Sequence, residues 1–421
     1  MFWAIIVIMR SFLLTQGGVK MIKRYFVAMV ATAMFLANTS FAETDVSHNW
    51  NAEGEAAALA IFKATYESLG GTWKESAFPK TEDSQASTKT RFLGGNPPMA
   101  LQGALGGSTA DFANAGMSAD LSAYAASGNW DDLYTSGIAG SGKHDGKWVS
   151  IPVFVDTVNW LFTNKGVLDA AGVSEPTTWN DFVDSLSTLK NAGVIPVAIG
   201  GEDWQETVAF DHMILAAGGA SFYENVMSGD LDAIGSDAMV QAFANFATIR
   251  EFTDEGKAGR SWNDTNNLVV SGKAAYIFMG PWATGGYADM EEGKDWSCRL
   301  TPWSNTVTAL ADGFHFIKSD NSADKEAQRL FAAALTDLDT QVKAAAAKGT
   351  LPAMKGADPA EFSGCSTKAV DRMNSGETAT HWNALSSGLK SALKDTVTAF
   401  WNGDMSPAEG RDALLAAVKD I

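Results

Sequence analysis

Four short stretches of this chain set an indole beside acidic or amide groups. They are Trp50-Asn51-Ala52-Glu53-Gly54-Glu55, Asp203-Trp204-Gln205, Ser261-Trp262-Asn263-Asp264 and Gly280-Pro281-Trp282. The chemistry such pairs support is recognition. An aromatic face covers apolar C–H groups, and carboxylates or amides hydrogen-bond to hydroxyls that have lost their water. A hydroxylated ring presents both kinds of surface. One Trp alone is more often core than contact, but four such clusters among 14 Trp form a pattern.

Bond-breaking chemistry finds less support. Glu53 and Glu55 suggest a glycosidase pair, yet two residues apart at a helix start they diverge, and no second carboxylate pair stands out. The chain has no Gly-x-Ser-x-Gly, no His-Glu-x-x-His and no phosphate-cradling Gly-rich loop. His144, His212 and His315 are isolated and read as structural. No His or further Cys stands at ligand spacing from Cys298 or Cys365, so neither a metal nor a cofactor is expected.

The elements that must position these residues follow an α/β alternation. Leu59, Phe62, Tyr66 and Leu69 predict an amphipathic helix over 55–69, ended by Gly70-Gly71. Glu55 then lies in its first turn, near the positive end of the helix dipole, where position alone makes it a helix-start carboxylate. A strand over 73–78, a polar helix over 81–92 and a buried strand over 99–102 come next. Val158 to Lys165 reads as a strand, followed by a short helix closed by Gly172. Thr178 with Asp181 caps a second helix. Strands are expected over 194–199, with Pro196 at its start or on an edge, over 272–280 and over 313–318. Helical patterns fill 208–252, 322–338 and 341–348, and Ser406-Pro407 starts the last helix.

The chain has 421 residues, 46% of them apolar, and a formal charge of -18, which describes a globular protein of one large or two medium domains. The acidic balance and the lack of Lys/Arg clusters argue against nucleic acid and against an anionic membrane surface. Cys298 and Cys365 are the only cysteines. In an exported protein the pair reads as a disulfide, with two unpaired buried thiols as the alternative.

Export is expected from the N-terminus. Lys23-Arg24 precedes the apolar run Tyr25–Ala37, and Ser40-Phe41-Ala42 forms a small-x-small cleavage site. Residues 1–42 therefore read as a signal peptide, with a retained signal-anchor as the alternative, and no Cys follows that would carry a lipid. A complete signal begins at Met21, so the start before it reads as over-called. Residues 1–42 hold four basic and no acidic groups, leaving 27 basic against 49 acidic in the mature chain.

The run Val158–Lys165 with Glu175-Pro176-Thr177-Thr178-Trp179-Asn180-Asp181-Phe182 resembles the interlobe segment of extracellular solute-binding proteins, family 1, which feed carbohydrate ABC importers. Ser47 to Ala58 resembles the first strand, loop and helix of the glucose- and mannose-type members, where a Trp and a Glu meet the sugar. Those roles fall to Trp50 and Glu55. Arg260-Ser261-Trp262-Asn263-Asp264 resembles the family loop whose Trp stacks on a pyranose, which assigns Trp262 and Asp264. By the same resemblance Gln102, Trp204, Trp282, Asp312, Lys348 and His381 join the substrate-binding set.

What the resemblance implies is a two-lobe α/β fold of the type II, maltose-binding-protein-like kind, with a hinge and an interlobe cleft. The N-terminal lobe would hold 43–155 plus 310–355, and the C-terminal lobe 156–309 plus 356–421. It implies a soluble, monomeric periplasmic protein without enzymatic activity. Such a protein hands a monosaccharide or short oligosaccharide to membrane permease subunits served by a separate ATPase, and a chemoreceptor or sensor kinase is a further partner. Two departures put the sugar in question. Close glucose binders carry a His where this chain has Ala104, and a basic pair where it has Asp156-Thr157. A non-sugar solute such as a polyamine or an opine, or a glycoside-active enzyme, remains the alternative.

Overall fold

The computed structural model describes residues 42–362, 364–374 and 378–421. The signal-peptide reading and the start at Met21 lie, except for Ala42, outside these residues. Glu43–Ile421 forms one compact unit. None of its described helices is long and apolar enough to cross a membrane.

Strand β1 (Ala42–His48) leads into α1 (Glu53–Ser68), the helix expected from Leu59, Phe62 and Tyr66, all three buried. Leu69, fourth in that series, instead caps the helix and is 45% exposed. The next elements are β2 (Gly71–Ala77), α2 (Thr81–Leu93), β3 (Ala100–Ala104) and α3 (Gly107–Asn114). Strand β4 (Ser150–Thr157), buried along its whole length, passes through Val158-Asn159 into β5 (Trp160–Asn164). Helix α4 (Trp179–Asn191) carries the expected box: the Asp181 amide donates to Thr178 Oγ1 at 3.1 Å, and the Thr178 amide to the Asp181 carboxylate at 3.0 Å. Strand β6 (Ile195–Ala198) sits at a sheet edge, where Pro196 costs no ladder bond.

Helices α5 (Asp203–Met227), α6 (Asp237–Arg250) and α7 (Trp262–Val270) precede β7 (Ala274–Met279), β8 (Trp296–Leu300) and β9 (Val307–Phe316). The strand expected from Gly313 thus begins six residues earlier, because its first half pairs across two other segments. The chain continues through α8 (Ser322–Leu335), α9 (Leu338–Lys348), β10 (Leu351–Pro352), α10 (Cys365–Asn374), β11 (Thr378–Thr380), α11 (Ser387–Asn402) and α12 (Pro407–Lys419). Helix α9 starts ahead of the expected Gln341 because the Asp337 carboxylate accepts the Thr340 amide at 2.8 Å.

Two main sheets result. The larger runs β10-β4-β9-β3-β1-β2, with β11 joined to β9; the smaller runs β8-β5-β7-β6. Strand β9 lies antiparallel to both β3 and β4, whereas β1 and β3 are parallel. The sheets are linked through β4–β5 and β8–β9, and Asn159 clips these two links together. Its Nδ2 donates to the Thr306 carbonyl at 2.7 Å, and its Oδ1 accepts the Thr308 amide at 2.9 Å.

One core packs Phe182, Leu186 and Leu189 of α4 with Phe210, Phe243, Phe246, Phe400 and Trp401. Cys298 of β8 and Cys365 of α10 are disulfide-bonded, with Cα atoms 5.9 Å apart and both side chains fully buried. The bridge fastens α10 onto the smaller sheet.

Candidate functional site

A cavity of about 280 Å³ collects nine of the ten expected site residues: Trp50, Glu55, Gln102, Trp204, Trp262, Trp282, Asp312, Lys348 and His381. Asp264 is not among its lining residues. That exposed carboxylate accepts the Ser261 hydroxyl at 2.8 Å, and the Asp264 amide donates to Ser261 Oγ at 3.2 Å, so the residue serves the start of α7.

Charge is concentrated at one wall. Lys348, the last residue of α9, donates from Nζ to Asp156 Oδ2 at 2.8 Å and to Asp312 Oδ2 at 3.1 Å. Asp312 Oδ1 accepts Gln102 Nε2 at 2.9 Å, and Asp156 Oδ1 lies 2.6 Å from the Thr350 hydroxyl. Backbone irregularities place these groups. The β4–β9 register shifts between Asp312 and Gly313, a bulge that re-aims a strand residue. A Cβ at Gly313 would run into the Ile151 carbonyl. Beyond Lys348, Gly349 takes φ +83 and ends the helix, and a Cβ there would run into the Thr284 hydroxyl.

The electrostatics follow from burial. Burial opposes the Lys348 charge, but Asp156 and Asp312 together hold its ammonium above the usual lysine range. Burial raises Asp312, against the pull of Lys348. Glu55 is pushed up to about 8 by burial, with Lys348 opposing, and its carboxylate accepts the Ala52 amide at 3.3 Å.

The indoles divide into two kinds. Trp50 is 2% exposed and packs against Phe154 and Phe314, with its ring centroid 4.9 Å from Lys348 Nζ. Trp204, Trp262 and Trp282 are half-buried, which leaves ring surface open to the cavity. Trp204 and Trp282 meet edge to face at 6.3 Å. The buried Glu202 carboxylate holds the start of α7: its Oε2 accepts the Trp262 amide at 2.8 Å and Gln205 Nε2 at 2.9 Å. His381 lines the cavity from behind β11, and its Nε2 stands 3.0 Å from Asp211 Oδ2 in a fully buried pair. His212 and His315 are structural, as expected: Nδ1 of each lies 2.9 Å from a hydroxyl, of Thr301 and Ser150 respectively.

Sequence reasoning missed part of the lining. Asp156 stood out only as a departure from the family pattern. Ser387, Lys390, Ser391 and Lys394 of α11 also line the cavity, as do Thr81, Glu82 and Gln85 of α2. The α11 set has the i, i+3, i+4, i+7 spacing of one helix face, beside the buried Leu393, Val397 and Phe400. That polar stripe was the available signal. Among the described residues no group of three or more His, Cys, Asp or Glu is arranged to hold a metal ion.

Known proteins share this architecture and sequence. Residues 51–342 match the family described as bacterial extracellular solute-binding protein. A "Probable sugar-binding periplasmic protein" of Rhizobium meliloti (strain 1021) is 32% identical over 413 residues, covering 94% of this chain and 99% of the relative. The "Xylose/arabinose-binding protein XacG" of Haloferax volcanii is 24% identical over 405 residues, covering 90% of this chain and 85% of its own. Among solved structures, a "Chitin oligosaccharide binding protein" superposes with TM-score 0.77 at 20% identity, covering 90% of this chain and 98% of that one. "Maltose bound T. maritima MalE3" gives TM-score 0.70 at 17% identity, with coverages of 90% and 99%. At such identities these structures carry the fold alone, the α/β architecture of periplasmic binding proteins. Together with the sequence matches along nearly the whole chain, this makes the protein a member of the bacterial extracellular solute-binding protein family, whose members bind solutes without converting them.

Proposed function

We propose that this protein captures a sugar in the periplasm and delivers it, unchanged, to the membrane permease of an ABC importer. The observation that carries the reading is the lining of one cavity by half-buried indoles together with the buried Glu55, Asp312, Gln102 and Lys348. Indole faces suit the C–H surface of a pyranose, and the charged wall suits its hydroxyls. Relatives bearing the words "sugar-binding periplasmic" support the same class of ligand. Glucose and mannose are the first candidates from the residue pattern.

The same reading divides the chain into two lobes, 43–155 plus 310–355 and 156–309 plus 356–421, with the ligand between them. Asn159, at the links between the two sheets, is then the hinge clip, and closure on the sugar follows from rotation there. A micromolar complex corresponds to about -8 kcal/mol. Three or four hydrogen bonds to charged groups, at about 1.5–3 kcal/mol each, plus one stacked indole supply that.

The test is isothermal titration of the mature chain with a panel of mono- and disaccharides. Trp262→Ala and Glu55→Ala are expected to abolish binding, with the unfolding profile of the half-buried Trp262→Ala variant staying close to that of the parent. Unchanged affinity in both variants would remove these residues from the site, and no response to any sugar would end the reading.

A further inference from the structure

The cavity has a second polar wall, away from the carboxylate–lysine cluster. It is built from Glu82 and Gln85 of α2, Asp111 of α3, and Lys390 and Lys394 of α11. Lys394 is committed, its Nζ 2.7 Å from Asp203 Oδ2. Lys390 is not. Among the described residues no carboxylate comes within ion-pair distance of its Nζ and no hydrogen bond reaches that atom; the Trp382 ring lies 5.8 Å away. Burial pushes this ammonium down to about 8, with the Lys394 charge acting in the same direction and Asp111 and Glu82 opposing from beyond contact distance. A desolvated ammonium without an acceptor is unfavourable, so the wall is built for a group that arrives from the cavity.

We propose that this wall is a second saccharide subsite, so that the preferred ligand is a disaccharide whose outer ring meets Lys390, Gln85, Glu82 and Asp111. The inference rests on the sugar reading above and deepens it. The composition of the wall selects the chemistry. Two carboxylates disfavour an anionic substituent there, and two lysines disfavour a polyamine. A neutral ring with vicinal hydroxyls offers acceptors to Lys390 and donors to Glu82 and Asp111 at once. No Trp comes from α2, α3 or α11 at this wall, so the outer ring is held by hydrogen bonds and the inner ring by stacking.

The experiment is calorimetric titration of the full mature chain with glucose, mannose and galactose, and with maltose, cellobiose, gentiobiose and trehalose. At least one disaccharide is expected to bind about tenfold or more tightly than its own monosaccharide, the worth of one or two charged hydrogen bonds. Lys390→Met is expected to erase that preference, lowering disaccharide affinity to or below that of the matching monosaccharide. Glu82→Gln, at an exposed position where folding is not at risk, is expected to reduce it in part. Monosaccharide binding as tight as that of every disaccharide would overturn the second subsite and leave the sugar reading standing. So would a preference that survives in both variants. No binding of any sugar would overturn the sugar reading, and this inference with it.

Discussion

Lys348 Nζ lies 2.8 Å from Asp156 Oδ2 and only 3.1 Å from Asp312 Oδ2, so one buried ammonium ties the end of α9 to neighbouring strands β4 and β9. All three side chains are nearly inaccessible to solvent. Each charge is tolerable only because the others are present.

Removing the ammonium should therefore be severe. Lys348→Met leaves Asp156 and Asp312 facing each other, with Glu55 nearby and no cation between them. Breaking one member of a buried ion cluster costs about 3–5 kcal/mol. The expected result is a large fall in the denaturation midpoint together with loss of sugar binding. Urea titration followed by Trp fluorescence measures the first, and calorimetry the second.

Glu55 gives the protein a pH signature. Its folded value is about 8 against an ordinary 4.5, so over that interval the folded chain holds a proton that the unfolded chain has released. Stability from this group therefore falls as pH rises from about 4.5 to about 8, and levels off above. Glu55→Gln should flatten that slope and raise the melting temperature at pH 8 relative to the parent. Glu206, pushed up to about 7 mainly by burial, keeps its own slope of the same sign over a narrower pH interval in the variant. Melting curves from pH 5 to 9 would show it, and parallel curves for parent and variant would contradict the assignment.

How much of this could be read in advance differs by kind of residue. The α4 capping box, the Gly172 stop and the edge position of Pro196 were legible, because each depends on local backbone chemistry. The Trp262 and Lys348 positions were legible only through family likeness, since neither spacing nor periodicity singles them out. Strand β4 escaped a direct reading: Pro152 and Asp156 interrupt its apolar pattern, and only the three-dimensional pairing with Lys348 explains a buried Asp there. Asp264 was misplaced for a related reason. In sequence it is inseparable from Trp262, yet one helical turn points the indole toward the cavity and commits the carboxylate to Ser261. The spacing of Ser387, Lys390, Ser391 and Lys394 is legible as a polar stripe on α11, but only the three-dimensional structure brings it to the same cavity as α2 and α3.

The disulfide should matter for stability far more than for recognition. It joins residues 67 apart, and closing a loop of that length stabilises by about 4 kcal/mol in the chain-entropy picture. Neither sulfur lines the cavity about the indoles. The paired substitution Cys298→Ser with Cys365→Ser should lower the melting temperature markedly and change sugar affinity little. Differential scanning calorimetry with a parallel titration separates the two effects.

Glu202 is the residue through which recognition should fail indirectly. It touches no face of the cavity, but its Oε2 accepts both the Trp262 amide at 2.8 Å and the Gln205 amide group at 2.9 Å. Burial raises this carboxyl, and the Trp262 amide opposes that rise, so the hydrogen bond is strongest to the ionised form. Glu202→Ala leaves the buried donors unpaired at a cost of about 1–3 kcal/mol and frees the first turn of α7. Sugar affinity should drop by about tenfold, short of the complete loss expected for Trp262→Ala. Glu202→Gln, which retains an acceptor oxygen, should recover most of it. The contrast between the two variants, read by calorimetry at one pH, distinguishes positioning of the indole from a general loosening of the fold, which both would share.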